Sequence, residues 1–178
     1  SLKTPEDNKQ LYAKWAATYE SDFVATHGYE HPKIIAEVFH SQLPKVQRVI
    51  DIGTGTGLVG KYLKALRSDI TIDGIDISPE MLAEAAKKNV YRNLYERDLT
   101  TTVFDTDAPY DALITIGTFT HGHLGIEVIE NLLSLVSKSG YFVIAFNEKY
   151  FHENNCLEFL LARNINLLHM DKVHVYSE

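Results

Sequence analysis

One cysteine, Cys156, is all the thiol chemistry this 178-residue chain carries. A single thiol excludes an intramolecular disulfide and fits a reducing compartment; on its own it reads as a small packed hydrophobe. Long apolar runs are missing too. The longest, over residues 111–119 and 141–146, fall far short of the roughly 20 residues a membrane span needs. No basic, apolar, small-residue signal pattern opens the chain, so the expectation is a cytoplasmic protein without membrane association. Positive charge is scarce: 17 Lys and Arg stand against 24 Asp and Glu, a net charge of −7. No basic cluster is dense enough to track phosphates, which disfavours nucleic acid as a partner. Histidines are scattered without metal-ligand spacing, so no metal is expected. Internal repeats, low-complexity segments and a readable Ser-His-Asp spacing are likewise absent.

What remains is ordinary globular composition, 45% apolar and 23% charged, at a length suited to one domain over residues 1–178. Thr4-Pro5 reads as a helix cap and first turn, followed by Leu11, Tyr12, Trp15 and Tyr19 at helical spacing. His31-Pro32 opens a second helix, closed by Leu43-Pro44. From there strands alternate with helices. Strands are expected over residues 48–52, 70–75, 91–96, 111–116 and 141–146. Helices are expected from the glycine turn to about 67, over 78–88, 126–136 and 153–163, with Ser139-Gly140 as a turn. One or two further strands are expected within 165–176. This order predicts an α/β, Rossmann-like, doubly wound and mostly parallel sheet, with helices on both faces and a short antiparallel C-terminal edge. Such sheets bind ligands beyond the strand carboxyl ends, at the switch point. That rule directs attention to residues 51–57, Asp76, Asp98 and residues 117–123.

The densest signal is Val49-Ile50-Asp51-Ile52-Gly53-Thr54-Gly55-Thr56-Gly57-Leu58-Val59-Gly60. A strand that feeds a helix through alternate glycines lets backbone N–H groups approach a ligand closely. Gly55, Gly57 and Gly60 formally satisfy the dinucleotide fingerprint, and Asp76 lies about 20 residues on, where a ribose-binding acid belongs. Two features oppose that reading. The strand already ends at Gly53, so the first fingerprint glycine comes late. Asp51 would also stand beside a pyrophosphate, anion against anion. A cationic ligand reverses the charge argument. The turn is not a nucleotide-triphosphate loop either, since Leu58-Val59 stands where Lys-Ser/Thr would be needed.

With an apolar strand, an acid and then Gly-x-Gly-x-Gly, matched by Asp51, Gly53, Gly55 and Gly57, the chain resembles the class I S-adenosylmethionine (SAM)-dependent methyltransferases over roughly residues 11–146. The resemblance implies that SAM, with its ammonium and sulfonium, lies against Asp51, Gly53, Thr54, Gly55 and Gly57. It also implies that Asp76 with Ile77 holds the ribose hydroxyls, that Asp98 with Leu99 meets the adenine, and that Gly117 lines the methionine end. Tyr12-x-x-Trp15-Ala16-x-x-Tyr19, Gly28-Tyr29 and His121-Gly122-His123 resemble one branch of small methyltransferases more narrowly. That branch includes the methyltransferase-like protein of the Williams–Beuren syndrome region. In related enzymes the N-terminal aromatic helix closes over SAM, which would make residues 1–44 a lid and cap on a core of 45–178. Tyr12, Trp15 and Tyr19 then join the cofactor residues.

Each assignment has a plainer counterpart. Asp51 can satisfy the backbone of its own turn, Asp76 can cap the helix that Ser78 begins, and the aromatic stripe can be core. His121 and His123, on a loop at the catalytic edge, suit proton removal from an acceptor, or merely face solvent. After the fourth strand the chain reads Gly117-Thr118-Phe119-Thr120. It lacks the Asn/Asp-Pro-Pro-Tyr/Phe of enzymes that methylate amide and adenine nitrogens. The expected function is methyl transfer from SAM to a small-molecule acceptor, atom unspecified. A SAM-binding sensor or accessory protein without turnover, and a nicotinamide oxidoreductase, stand as alternatives.

Overall fold

Arg48 to Ile52 sets Val49, Ile50 and Ile52 around one aspartate, and in the computed structural model this segment is strand β1 (Arg48–Ile52). The structure describes residues 29–101, 106–120 and 124–173. Ahead of β1 runs α1 (His31–Gln42), with Pro32 in its first turn. Then follow α2 (Leu58–Leu66), β2 (Thr71–Asp76), α3 (Pro79–Ala86), β3 (Asn93–Glu96) and β4 (Tyr110–Phe119). A 3₁₀ turn (Ile126–Val128) leads into α4 (Ile129–Leu133), and β5 (Val136–Phe146), α5 (Glu148–Glu153) and α6 (Cys156–Leu161) complete the order.

The five strands form one parallel sheet in the order β3-β2-β1-β4-β5. Alternation along the central strands divides the core in two. Val49, Ile72 and Ile114 pack with Ile35, Phe39 and Leu63 of α1 and α2. Ile50, Ile52, Ile75 and Leu113 pack with Ile129, Leu132, Tyr150 and Cys156 on the other face. With helices on both sides, the central strands of a parallel sheet are mostly apolar, and Asp51 of β1 and Asp73 of β2 are the buried carboxyl-bearing exceptions. Cys156 is buried as a small hydrophobe.

Four expectations change in detail. The Ser139-Gly140 turn is absorbed into β5: β4 advances from Tyr110 to Ala112 while β5 advances from Val136 to Tyr141, so the extra residues form an irregularity within the strand. The helix expected over 126–136 is a 3₁₀ turn followed by a short α-helix. The helix expected over 153–163 is the shorter α6, and a separate helix, α5, precedes it where no element was expected, with Asn155 in a left-handed conformation (φ 47°) between the two. No antiparallel edge forms among the described residues, since 165–173 carry no strand. Among the described residues no helix is long and apolar enough to cross a membrane.

Candidate functional site

The sheet order places the switch between β1 and β4, and the cleft opens there, at the strand carboxyl ends. β1 stops at Ile52 and the chain turns at once. Gly53 has φ 69°, and a Cβ on it would stand 2.3 Å from the Thr118 hydroxyl oxygen, so only glycine fits. The N–H groups of Gly53 and Thr54 both donate to the Ile75 carbonyl, at 2.9 and 3.0 Å, which ties the turn to the end of β2. The Thr54 hydroxyl donates to the Asp51 carbonyl at 2.9 Å. Gly57, also left-handed at φ 86°, is the N-cap of α2 and offers no side chain to cap it.

Asp76 terminates β2 beside this turn. Its Oδ2 accepts from the Gly55 N–H at 2.8 Å and its Oδ1 from the Ser78 N–H at 2.9 Å. Burial raises its pKa above the ordinary carboxylate value, against the pull of those backbone donors. Capping of α3 is done by Ser78, whose hydroxyl oxygen accepts from the Met81 N–H at 3.3 Å. Asp76 therefore binds the approach to that helix without serving as its cap.

Beyond β3, Asp98 Oδ1 accepts from the N–H and hydroxyl of Thr100, at 2.9 and 2.6 Å. The buried Leu99 beside it is held by its carbonyl, which accepts from the Asn131 amide of α4 at 3.2 Å. At the end of β4 the register with β5 slips between Ile116 and Phe119. Gly117 occupies that slip at φ 68°, and a Cβ there would touch only the Tyr29 hydroxyl oxygen, at 3.9 Å.

The cleft is lined by Gly53, Thr54, Gly55, Asp76, Ile77, Asp98, Leu99 and Gly117 of the expected residues. Tyr29, Thr56, Met81, Arg97, Thr118 and Leu124 line it as well, and sequence spacing does not single out most of these. Gly57 stands behind the turn rather than in the lining. So does Asp51, which is fully buried beneath it. Oδ2 of Asp51 accepts from the Tyr91 hydroxyl at 2.7 Å, while Oδ1 has no partner among the described residues. Burial lifts the Asp51 carboxyl to about 7; the Tyr91 hydrogen bond opposes that shift and the Asp76 charge adds to it. Sequence spacing does not point to Tyr91. Its only signal is indirect, in glycines at 57 and 60 that leave room for something large. His121, His123, Tyr12, Trp15 and Tyr19 lie outside the described residues. Among the described residues no group of His, Cys, Asp and Glu is arranged to hold a metal ion.

This is a cleft walled by small and apolar residues, with carboxylates at the ends of two adjacent strands and a helix N-terminus behind the glycines. Carboxylates at strand ends can accept hydroxyl or amino donors, and the glycines allow close approach of a flat, polar ligand.

Residues 50–142 match the family model described as a methyltransferase domain. Trans-aconitate 2-methyltransferase of Mycobacterium tuberculosis (strain ATCC 25177 / H37Ra) is 31% identical over 68 residues, 38% of this chain and 26% of that protein. The chain thus matches about a quarter of the length of its curated relatives. Among solved structures, a complex of DhpI with SAH (S-adenosylhomocysteine) aligns with TM-score 0.58 and 20% identity, covering 77% of this chain and 67% of that one. Streptomyces venezuelae DesVI aligns with TM-score 0.54 and 20% identity, over 70% and 54% of the two chains. At these identities the structural likeness speaks for the fold.

Proposed function

The chain belongs to the methyltransferase domain family of class I SAM-dependent enzymes, and on that premise we propose that it moves a methyl group from SAM to a small-molecule acceptor. The observation that carries the cofactor assignment is the pairing of Asp76 with the Gly53–Gly55 turn. Both Asp76 oxygens already hold backbone donors, so the carboxylate is fixed in place at the cleft wall, with remaining lone pairs for a vicinal diol. Asp98 and Leu99 follow at the next strand end, and to them we assign the adenine amino group and ring. Gly117, whose absent side chain would meet only the Tyr29 hydroxyl oxygen, at 3.9 Å, leaves room at the methionine end.

The residues present fit a cationic nucleoside better than a dinucleotide. Oδ1 of Asp51 is a buried acceptor without a donor, and it lies under the turn at the N-terminus of α2. A pyrophosphate there would meet that carboxyl and Asp76 together; an ammonium would be drawn by both. Gly60, the third glycine of the formal dinucleotide fingerprint, leaves space for the Tyr91 ring and not for a ligand. When bound, SAM supplies a methyl group on a sulfonium, a good leaving group. The protein's part is then to hold the cofactor, exclude water and present the acceptor in line. A base is required only for an acceptor that arrives protonated, and His121 and His123 are the residues we assign to that role.

Calorimetry with SAH and with NADH tests the cofactor, and transfer of labelled methyl from SAM tests turnover. The acceptor panel begins with small carboxylic acids, trans-aconitate included. We expect SAH binding, no NADH binding, and label in a small-molecule product. NADH binding without a response to SAH overturns the reading. SAH binding without transfer to any acceptor leaves a SAM-binding protein and overturns the enzymatic half.

A further inference from the structure

Tyr91 sits in the connector between α3 and β3, outside the cleft lining, and the proposed chemistry gives it no task. Its ring fills the space left by two glycines. A Cβ on Gly57 would meet Tyr91 Cε2 at 3.0 Å, and one on Gly60 would meet Cζ and the hydroxyl oxygen at 2.4 Å. The hydroxyl accepts from the Gly60 N–H at 3.1 Å and donates to Asp51 Oδ2 at 2.7 Å. Gly60 is the third residue of α2, a position whose N–H has no partner within its own helix. Because Gly57 cannot cap that helix, a tyrosine from a distant segment does so.

The direction of these bonds has a consequence. A phenol has one proton, and with the Gly60 N–H already donating to its oxygen, Tyr91 directs that proton at Asp51. Oδ2 is thereby occupied, and Oδ1, buried beneath the turn, is left without a donor among the described residues. Resting on the cofactor reading, we infer that Tyr91 is a positioning residue for SAM: its hydroxyl fixes the Asp51 carboxylate beneath the glycine turn, where its negative charge draws the cofactor's cationic end, and ties that carboxylate to the N-terminus of α2. Burial and the Asp51 charge hold the phenol well above its ordinary pKa, so it remains a donor throughout the neutral range. The titratable groups acting on Asp51 are Tyr91, from that connector, and Asp76, from the end of β2.

The test is SAH calorimetry on Tyr91→Phe, Asp51→Asn and the double variant. Tyr91→Phe keeps the ring that packs against Gly57 and Gly60. We expect it to weaken SAH roughly tenfold, as loss of a hydrogen bond to a charged group does. In the Asp51→Asn background the same change costs less than about twofold. The pH at which SAH affinity is half-maximal also moves alkaline in Tyr91→Phe, because the hydrogen bond favouring ionised Asp51 is gone. An equal loss in both backgrounds, or an unmoved pH midpoint, means Tyr91 only packs and overturns the inference. If Tyr91→Phe does not fold, Gly60→Ala is carried through the same cycle. Its methyl group displaces the hydroxyl without removing it, and the same expectations and refutations apply. Wild-type protein that binds no SAH overturns the cofactor reading itself, and this inference with it.

Discussion

A buried carboxylate with one unpartnered oxygen costs stability, and Asp51 shows where that cost falls. Its ordinary value is 3.8 and in the fold it stands at about 7. Between those values the folded state holds a proton that the unfolded chain has lost, so stability declines as pH rises across the window and stays reduced above it. Asp51→Asn removes the charge. By thermal unfolding of the ligand-free protein, the variant should therefore match wild type near pH 4 and exceed it at pH 8, by up to about 4 kcal/mol. SAH affinity should move the other way, falling in the variant. A variant less stable than wild type at pH 8 would mean that the carboxylate supports the turn structurally. The charge of Asp51 and its place before the glycines were legible in the sequence, and they separated a cationic ligand from a pyrophosphate. Its partner was not legible. Tyr91 lies 40 residues away, and a single side-chain contact at that distance leaves no periodicity or spacing to read.

At the scale of elements, legibility follows how strongly local chemistry commits the chain. Ser78-Pro79-Glu80 starts α3 where expected, because a hydroxyl acceptor, a fixed φ and an acid in the first turn all act within four residues. Ser78→Ala should cost about 1 kcal/mol in chemical denaturation. Its backbone N–H still reaches Asp76, so the loss is confined to the hydroxyl's bonds, from the Met81 N–H and to the Glu80 carboxylate. The strand cores at Arg48–Ile52 and Thr71–Asp76 were equally plain from their β-branched runs. Ends and breaks were not. Asn155 reads as an ordinary polar residue inside an amphipathic stretch, yet it takes φ 47° and divides α5 from α6. Tertiary packing decides this, with Cys156 and Tyr150 buried on either side of the break. Asn155→Gly should leave stability within a few tenths of a kcal/mol, whereas Asn155→Ala should lower it by about 1 kcal/mol. If the helix instead ran straight through in solution, alanine would be the better residue, and the order of the two variants in urea would reverse.

Across the whole molecule the two ends of the sheet divide the labour. The carboxyl ends carry the cleft, with Asp51 and Asp76 held above their ordinary values by burial. Toward the amino ends, a second buried aspartate is fully satisfied. Asp73 receives an ion pair from Arg92, the Tyr110 hydroxyl at 2.8 Å, and the Asn93 N–H and side-chain amide at 3.0 and 3.1 Å. Burial alone would raise its pKa; the bonds from Arg92 and Tyr110 outweigh that and hold it below the ordinary value. This network fastens β2, β3 and β4 together and includes no residue of the cleft lining. The stability it contributes is present above the ordinary carboxylate pKa and is lost as pH falls through the lower folded value. Arg92→Met should leave Asp73 with two partner residues in place of three. Arg92 is 40% exposed, so water replaces part of what is removed. The expected loss is accordingly about 2 kcal/mol at pH 7 by urea unfolding, toward the lower side of a broken buried pair. The variant should also lose less further stability on acidification to pH 3 than wild type does. SAH affinity of the folded variant should stay within about twofold of wild type, since nothing in the cleft has moved. A matching fall in affinity would show that the two ends of the sheet are coupled, and that strand pairing at the amino end sets the spacing of Asp76 and Asp98 at the other.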